Sequence, residues 1–307
     1  MPGAGPGAFT FTGPRVESPG RIAMIATFFV SDLHGRVPRY ESLFAAIERE
    51  RPGVVLLGGD LLPQGFGPGA DEFLTEYLSA RFRALRSSLR GAYPRVFAIF
   101  GNDDARVHEA EMRAGEGEGL WEYVHVKRVR LGGLTIVGYS YVPPTPFRLK
   151  DWERYDVGRY VDPGSISPED GVRSVAVPEH ETRWATIAAD LADLTLGIEP
   201  RSLVMLVHGP PHGTMLDRAA LDGVMVDHAP SDVHVGSIAL RRFIEAHQPR
   251  LTLHGHIHES ARLTGHWRDR IGETEMLSAA HDGPELALIR LDLDDPTRAT
   301  RELVKPV

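Results

Sequence analysis

Seven residues of metal-binding type follow five separate apolar runs in this 307-residue chain. Asp32 and His34 come after Ala23 to Val30, Asp60 after Val54 to Leu57, and Asn102 after Val96 to Phe100. His208 closes Leu203 to Val207, and Leu251 to Leu253 enters His254-Gly255-His256-Ile257-His258. If the runs are parallel strands, their carboxyl ends lie along one edge of a sheet, where open α/β folds place ligands. Asp32-Leu33-His34 puts two donors at alternate positions, so both can turn toward one metal. Asp60 has two oxygens to share between two cations, and Gly58-Gly59 lets the backbone turn sharply before it. Asn102 offers a neutral amide oxygen. His208, His256 and His258 offer imidazole nitrogens, which suit Zn, Fe, Mn or Ni rather than a pure Ca or Mg preference. Taken singly, an Asp or His at a strand end is more often a turn or surface residue. In five corresponding places the set points to a dinuclear metal centre.

The elements that would position these residues follow from periodicity. Tyr40 to Arg51 carries Leu43, Phe44 and Ile47 at helical spacing and is closed by Pro52-Gly53, making the opening segment strand, helix, strand. Asp71 to Leu89 repeats apolar residues at steps of three or four and reads as a second helix. Val124 to Val129 and Leu134 to Val137, separated by Gly132-Gly133, read as antiparallel additions to the sheet. Glu179 to Leu196 predicts a helix, as does Ser237 to His247 with Ser237 as its N-cap. Met276 to Leu293 reads as closing strands. Residues Met1 to Gly20, rich in Gly and Pro, read as a flexible tail, and residues 21–307 as one layered α/β domain without internal repeat. The exception is a long insertion at about 141–178, dominated by Pro, Gly and charge, whose aromatics Phe147, Trp152, Tyr155 and Tyr160 favour an ordered flap beside the site.

Composition narrows the function further. A 42% hydrophobic and 25% charged chain is an ordinary globular protein. A formal net charge of -8 and a pI near 6.0 lack the global basicity of a nucleic-acid binder. Arg81, Arg83, Arg86, Arg90 and Arg95 hint at a polyanion surface but read rather as a solvated helix face. The absence of cysteine excludes disulfides, thiolate ligands and cysteine nucleophiles and suits a reducing cytoplasm. Ile22 to Val30, the one membrane-like stretch, is about half the length a bilayer demands and reads as a buried strand.

Asp32-x-His34, Gly58-Gly59-Asp60, Gly101-Asn102-Asp103-Asp104, His208 and Gly255-His256-x-His258 resemble, in order, the five motifs of the calcineurin-like metallophosphoesterase superfamily. The resemblance covers roughly Arg21 to Leu293. Within it, His208-Gly209-Pro210-Pro211 with Gly213-Thr214, Val235-Gly236-Ser237 and the stretch from Leu253 to Ser260 are similar to predicted phosphoesterases related to bacterial cyclic-nucleotide phosphodiesterases. The resemblance implies a four-layer α/β/β/α sandwich with mixed sheets. It implies that Asp32, His34 and His258 hold one metal, that Asn102, His208 and His256 hold another, and that Asp60 bridges them. The cofactors would be two divalent or trivalent ions (Mn, Fe, Zn or Ni, with Mn the first choice in assay), roughly 4 Å apart, generating a bridging hydroxide that attacks phosphorus in line. The expected substrate is a small phosphate ester, diesters being favoured over monoesters, with no membrane or nucleic-acid partner.

One position departs from the family pattern. Most relatives carry His after the motif Asn, whereas this chain has Asp103, which when ionised repels phosphate and donates no proton. Asp103 is therefore protonated, turned away or bound to a cation. His212, four residues after His208, is the candidate replacement donor, against the plainer reading of an exposed loop histidine. His254 reads as a supporting or core residue, His281 as a surface turn, and Ser237 as a cap or phosphate contact. Two rival functions remain: a nuclease, which requires a basic groove with stacking aromatics such as Trp152 and Tyr155 beside the metals, and a binding module that keeps the fold without catalysis.

Overall fold

The computed structural model describes residues 26–64, 68–226 and 228–306. The tail expected over residues 1–20 lies outside the described residues. In chain order the strands are β1 Ala26–Val30, β2 Val54–Gly58, β3 Arg95–Ile99, β4 Glu122–Tyr123, β5 Arg128–Leu131, β6 Leu134–Tyr139, β7 Leu203–Val207, β8 Met225–Val226, β9 Ala229–Pro230, β10 Leu251–His254, β11 Arg268–Ile271, β12 Thr274–Ser278, β13 Leu286–Asp292 and β14 Thr300–Val304. The α-helices are α1 Val37–Glu50, α2 Pro68–Glu72, α3 Ser79–Leu89, α4 Glu109–Gly117, α5 Glu179–Arg183, α6 Ile187–Thr195, α7 Ile238–His247 and α8 Ser260–Thr264.

The five ligand-bearing runs are strands, but they do not share one sheet. β1, β2 and β3 lie parallel in a sheet ordered β14-β13-β1-β2-β3-β4, while β7 and β10 lie parallel in a second, ordered β11-β12-β10-β7-β6-β5. Both sheets are mixed, with β13 antiparallel to β1 and β11 antiparallel to β12. The reason is written in the side-chain alternation, because every one of these strands is apolar on both faces. Phe29, Val54, Leu56, Phe97, Ile99, Val204, Leu206, Leu251 and Leu253 belong to one buried cluster drawn from both sheets. Their alternates Phe28, Val30, Val55, Leu57, Leu203, Met205 and Val207 pack with helix residues such as Leu43, Phe44, Ile47, Phe243 and Ile244. Two inner sheet faces therefore meet each other and two outer faces meet helices, giving four layers. Each fully buried Leu, Phe or Val contributes about 1.5–3 kcal/mol, which makes this arrangement the dominant stabilising term.

Several elements differ from their sequence expectations. The helix before β2 starts at Val37, because Pro38 is well suited to a first helical turn. The stretch Asp71 to Leu89 is helical but passes through a π-helical segment at Phe73–Leu78. The helix expected over Glu179 to Leu196 is broken, since the Thr186 hydroxyl accepts a hydrogen bond from the Ala189 N–H and starts α6 afresh. β5 and β6 form the expected antiparallel pair, but β6 runs parallel to β7 and so extends the second sheet. α4, β11 and β14 had no clear signal; of α4 only Met112 and Gly115 are buried.

Residues 141–178, expected as an insertion, carry no named helix or strand. Trp152 and Tyr155 are buried in it, whereas Phe147 and Tyr160 are exposed. Its Trp152 indole donates to the Asp104 carbonyl at 2.7 Å, and Asp151 accepts from the Arg106 N–H at 2.8 Å, so it leans on the loop that follows β3. Asp156 accepts from the Ser237 hydroxyl and from the N–H groups of Ile238 and Ala239, fastening the insertion to the start of α7. Among the described residues no helix is long and apolar enough to cross a membrane.

Candidate metal centre

The ligand-type residues sit where strands end and the backbone reverses. Asp32, His34, Asp60 and His256 all have positive φ, at 56°, 47°, 51° and 72°. For residues with a Cβ this left-handed region is uncommon and costs of order 1–3 kcal/mol each, so the surrounding structure has to enforce it. Backbone bonds do so: Asp32 N–H donates to Gly59 O at 2.9 Å and His34 N–H to Asp60 O at 2.8 Å. Gly255 N–H donates to His208 O at 2.8 Å, holding the ends of β10 and β7 together, and His256 N–H donates to the Asp32 carboxylate at 2.9 Å, which joins the second sheet to the first. Gly255 has to be glycine. A Cβ there would lie 2.0 Å from Ser31 Oγ and 2.4 Å from Asp32 Oδ2.

The side chains converge in two overlapping groups. One ligand atom from each of Asp32, His34, Asp60 and His258 lies within 4.8 Å of the others. Within that group His258 Nε2 is 3.2 Å from Asp32 Oδ1 and 3.0 Å from His34 Nε2. In the other group His208 Nε2 is 3.1 Å from Asn102 Oδ1, and the His256 ring centroid stands 5.3 Å from that of His208. Asp60 Oδ2 belongs to both, 3.3 Å from His208 Nε2 and 3.8 Å from His34 Nε2. The donor set of carboxylate oxygens, an amide oxygen and imidazole nitrogens is of the kind that holds transition cations. Asp32 Oδ2 and His34 Nδ1 are buried with no hydrogen-bond partner among the described residues, and His208 Nδ1 is turned to the Gly58 carbonyl at 2.8 Å, which leaves Nε2 facing inward.

Electrostatics agree with this geometry. Burial works to raise the pKa of Asp32 and Asp60, yet neighbouring histidines, His258 foremost for Asp32 and His208 for Asp60, hold both below the usual carboxylate range. Burial works to lower His208, but Asp60 and Asp32 push it up to about 10. Burial and the positive charge of His208 lower His256 to about 3. A proton on His208 thus occupies a place that a cation would take.

Asp103 lies at the rim. Its N–H donates to Asp60 Oδ1 at 2.8 Å, its carboxylate accepts from Asn102 Nδ2 at 3.0 Å and Gln64 Nε2 at 2.7 Å, and Oδ2 is 3.7 Å from His34 Nδ1. Burial and the Asp60 charge raise its pKa. His212 is placed differently: its Nε2 pairs with Asp232 at 3.1 Å and its ring neighbours His234, and none of the seven ligand-type residues is among these partners. His254 is fully buried, meeting the Val207 and Gly209 carbonyls at 3.0 Å and the Thr252 hydroxyl at 2.7 Å, a structural tie between β10 and β7. His281 pairs with Glu285, and Ser237 caps α7 with its hydroxyl bonded to Asp156. The arginine run is largely neutralised, with Arg81 on Glu41, Arg83 on Glu118 and Arg95 on Glu122. Trp152 and Tyr155, at 0% and 2% exposure, form no stacking surface.

Three supporting residues escaped the sequence reading. The Asp104 carboxylate accepts the N–H groups of Leu61, Leu62 and Gly101 at 2.8–3.0 Å, pinning the turn after Asp60 to the turn before Asn102. The buried Arg39 guanidinium donates to the carbonyls of Asp32, His281 and Gly283. Gln64 holds Asp103. Asp104 lies within the third motif but was given no role there; Arg39 and Gln64 carried no signal.

Residues 26–260 match the model of a family described as calcineurin-like phosphoesterase. One solved crystal structure aligns with 92% of this chain and 100% of its own at 14% identity and a TM-score of 0.56. The structure of TT1561 from Thermus thermophilus does so over 92% of this chain and 100% of its own, at 15% identity and a TM-score of 0.55. These likenesses concern the fold. Among curated proteins none matches the sequence.

Proposed function

The chain belongs to the calcineurin-like phosphoesterase family, and from that premise we propose that it is a metal-dependent phosphoester hydrolase acting on small phosphodiesters. The family membership supports phosphoester hydrolysis, and the carrying observation for this chain is that Asp60 Oδ2 lies 3.3 Å from His208 and 3.8 Å from His34, a carboxylate shared by two donor groups from two sheets. In this reading Asp32, His34 and His258 hold one cation, Asn102, His208 and His256 hold another, and Asp60 joins them. Cations held there would supply Lewis-acid charge to phosphate oxygens and would lower the pKa of a bound water toward neutrality.

The chain's own residues set the rest. The Gly58 carbonyl fixes the His208 ring, Asp104 fixes the turns that carry Asp60 and Asn102, and Arg39 fixes the carbonyl of Asp32. Asp103 stands at the rim where most family members carry His, and its negative charge opposes a dianionic monoester more than a monoanionic diester. It offers no strong proton donor, so leaving groups that depart unassisted are favoured. The test is turnover of bis(p-nitrophenyl) phosphate against p-nitrophenyl phosphate with Mn2+, Zn2+, Ni2+ and Fe2+. A higher kcat/KM on the diester with at least one metal is expected. Turnover of the monoester alone would overturn the diester preference, and turnover of neither would overturn the hydrolase reading.

A further inference from the structure

A second group of ligand-type side chains lies between α2 and α4. Asp71, on α2, His108, just before α4, and Glu111, on α4, each offer one atom within 4.8 Å of the other two. His108 is 1% exposed. One edge of its ring meets the Asp71 carboxylate through Nδ1, while Nε2 is buried without a hydrogen-bond partner among the described residues. Glu111 Oε2 is likewise buried and unpartnered. Among the described residues neither acid is paired with an Arg or Lys, although the neighbouring Glu109 is bonded to Arg113. Two carboxylates and an imidazole, with Glu111 Oε2 left over and His108 Nε2 on the ring edge turned away from Asp71, form a site short of positive charge.

We infer that Asp71, His108 and Glu111 bind a divalent transition cation separate from the Asp60 centre. Two oxygen donors and one imidazole nitrogen suit Zn2+ or Mn2+ rather than Ca2+, which takes oxygen ligands, and positions left over by three protein ligands would be filled by water. The cation would tie α2 to α4. α2 follows Gln64, which holds Asp103, and α4 follows the loop that carries Asn102, so the tie braces both approaches to the rim.

The experiment counts metal bound by the full chain. Chelator-treated protein is loaded with Zn2+, desalted and analysed by mass spectrometry for metal content, and Co2+ is titrated in parallel by visible absorption. The wild type should bind one equivalent more than His108→Gln and Glu111→Gln, and the same difference should persist in an Asp60→Asn background, where the main centre is impaired. Zn2+ should raise Tm in the Asp60→Asn protein, and Glu111→Gln should weaken that response about tenfold in Zn2+ concentration. Glu111 is partly exposed, so its variant keeps the test alive if His108→Gln fails to fold. Equal stoichiometry in wild type and Glu111→Gln, with unchanged Co2+ absorption, would overturn the inference.

Discussion

At the level of single residues, Asp60 decides most. It is buried, shared by two histidine groups, and held below the ordinary carboxylate range despite burial. Asp60→Asn should lower bound metal and reduce kcat/KM by at least about 100-fold, read from metal analysis and diester turnover together. Near-normal turnover with full metal content would contradict its bridging role. Asp103 tests the opposite end of the mechanism. Asp103→His should speed poor leaving groups by about 10²-fold or more while leaving activated esters little changed, because general-acid help matters only where the leaving group needs a proton. An equal response across leaving groups would show that the rim position does not reach the departing oxygen. The ligand types were legible in sequence because each ends an apolar run. Arg39 and Gln64 were not, because a polar residue in an amphipathic helix or a loop carries no pattern that distinguishes solvent from a backbone carbonyl.

At the level of elements, the strand ends do the positioning. Four ligand-type residues adopt positive φ, and Gly255 brings the β10 turn against Asp32. Gly255→Ala should therefore cost about 1–3 kcal/mol in chemical denaturation and weaken metal binding, since Ser31 and Asp32 have to move. An unchanged metal affinity would mean that the turn is not tightly docked. These strands were legible through their length and apolar character. Their division between two sheets was not legible in the strands themselves, because a strand buried on both faces reads the same beneath helices as beneath a second sheet; it came from the family resemblance, whose four-layer α/β/β/α sandwich the two mixed sheets match. Helix boundaries failed for local reasons: Thr186 restarts a helix by capping, and the π-helical segment at Phe73–Leu78 preserves apolar spacing that looks continuous.

At the level of the whole molecule, the centre is a seam between two sheets, so its charge state is coupled to stability. His208 has its pKa raised from 6.5 to about 10 by Asp60 and Asp32. Its protonated form stabilises the chelated protein fully below about 6.5, and that contribution is lost as pH rises toward about 10. The Tm of chelated protein should fall across that alkaline window, while added metal should raise Tm more at about pH 8 than at about pH 6 because cations displace the proton. Calorimetry in buffers of different ionisation enthalpy should detect proton release on Mn2+ binding; pH-independent affinity without proton release would contradict the linkage. The insertion at 141–178 belongs to this scale too, since its Trp152 and Asp151 grip the loop after β3.

The most direct measurement is anomalous diffraction from crystals loaded with Mn2+. Two peaks roughly 4 Å apart are predicted, one against Asp32, His34 and His258, the other against Asn102, His208 and His256, with Asp60 touching both. A single peak that leaves Asp60 unbound, or metal found only away from these residues, would contradict the account.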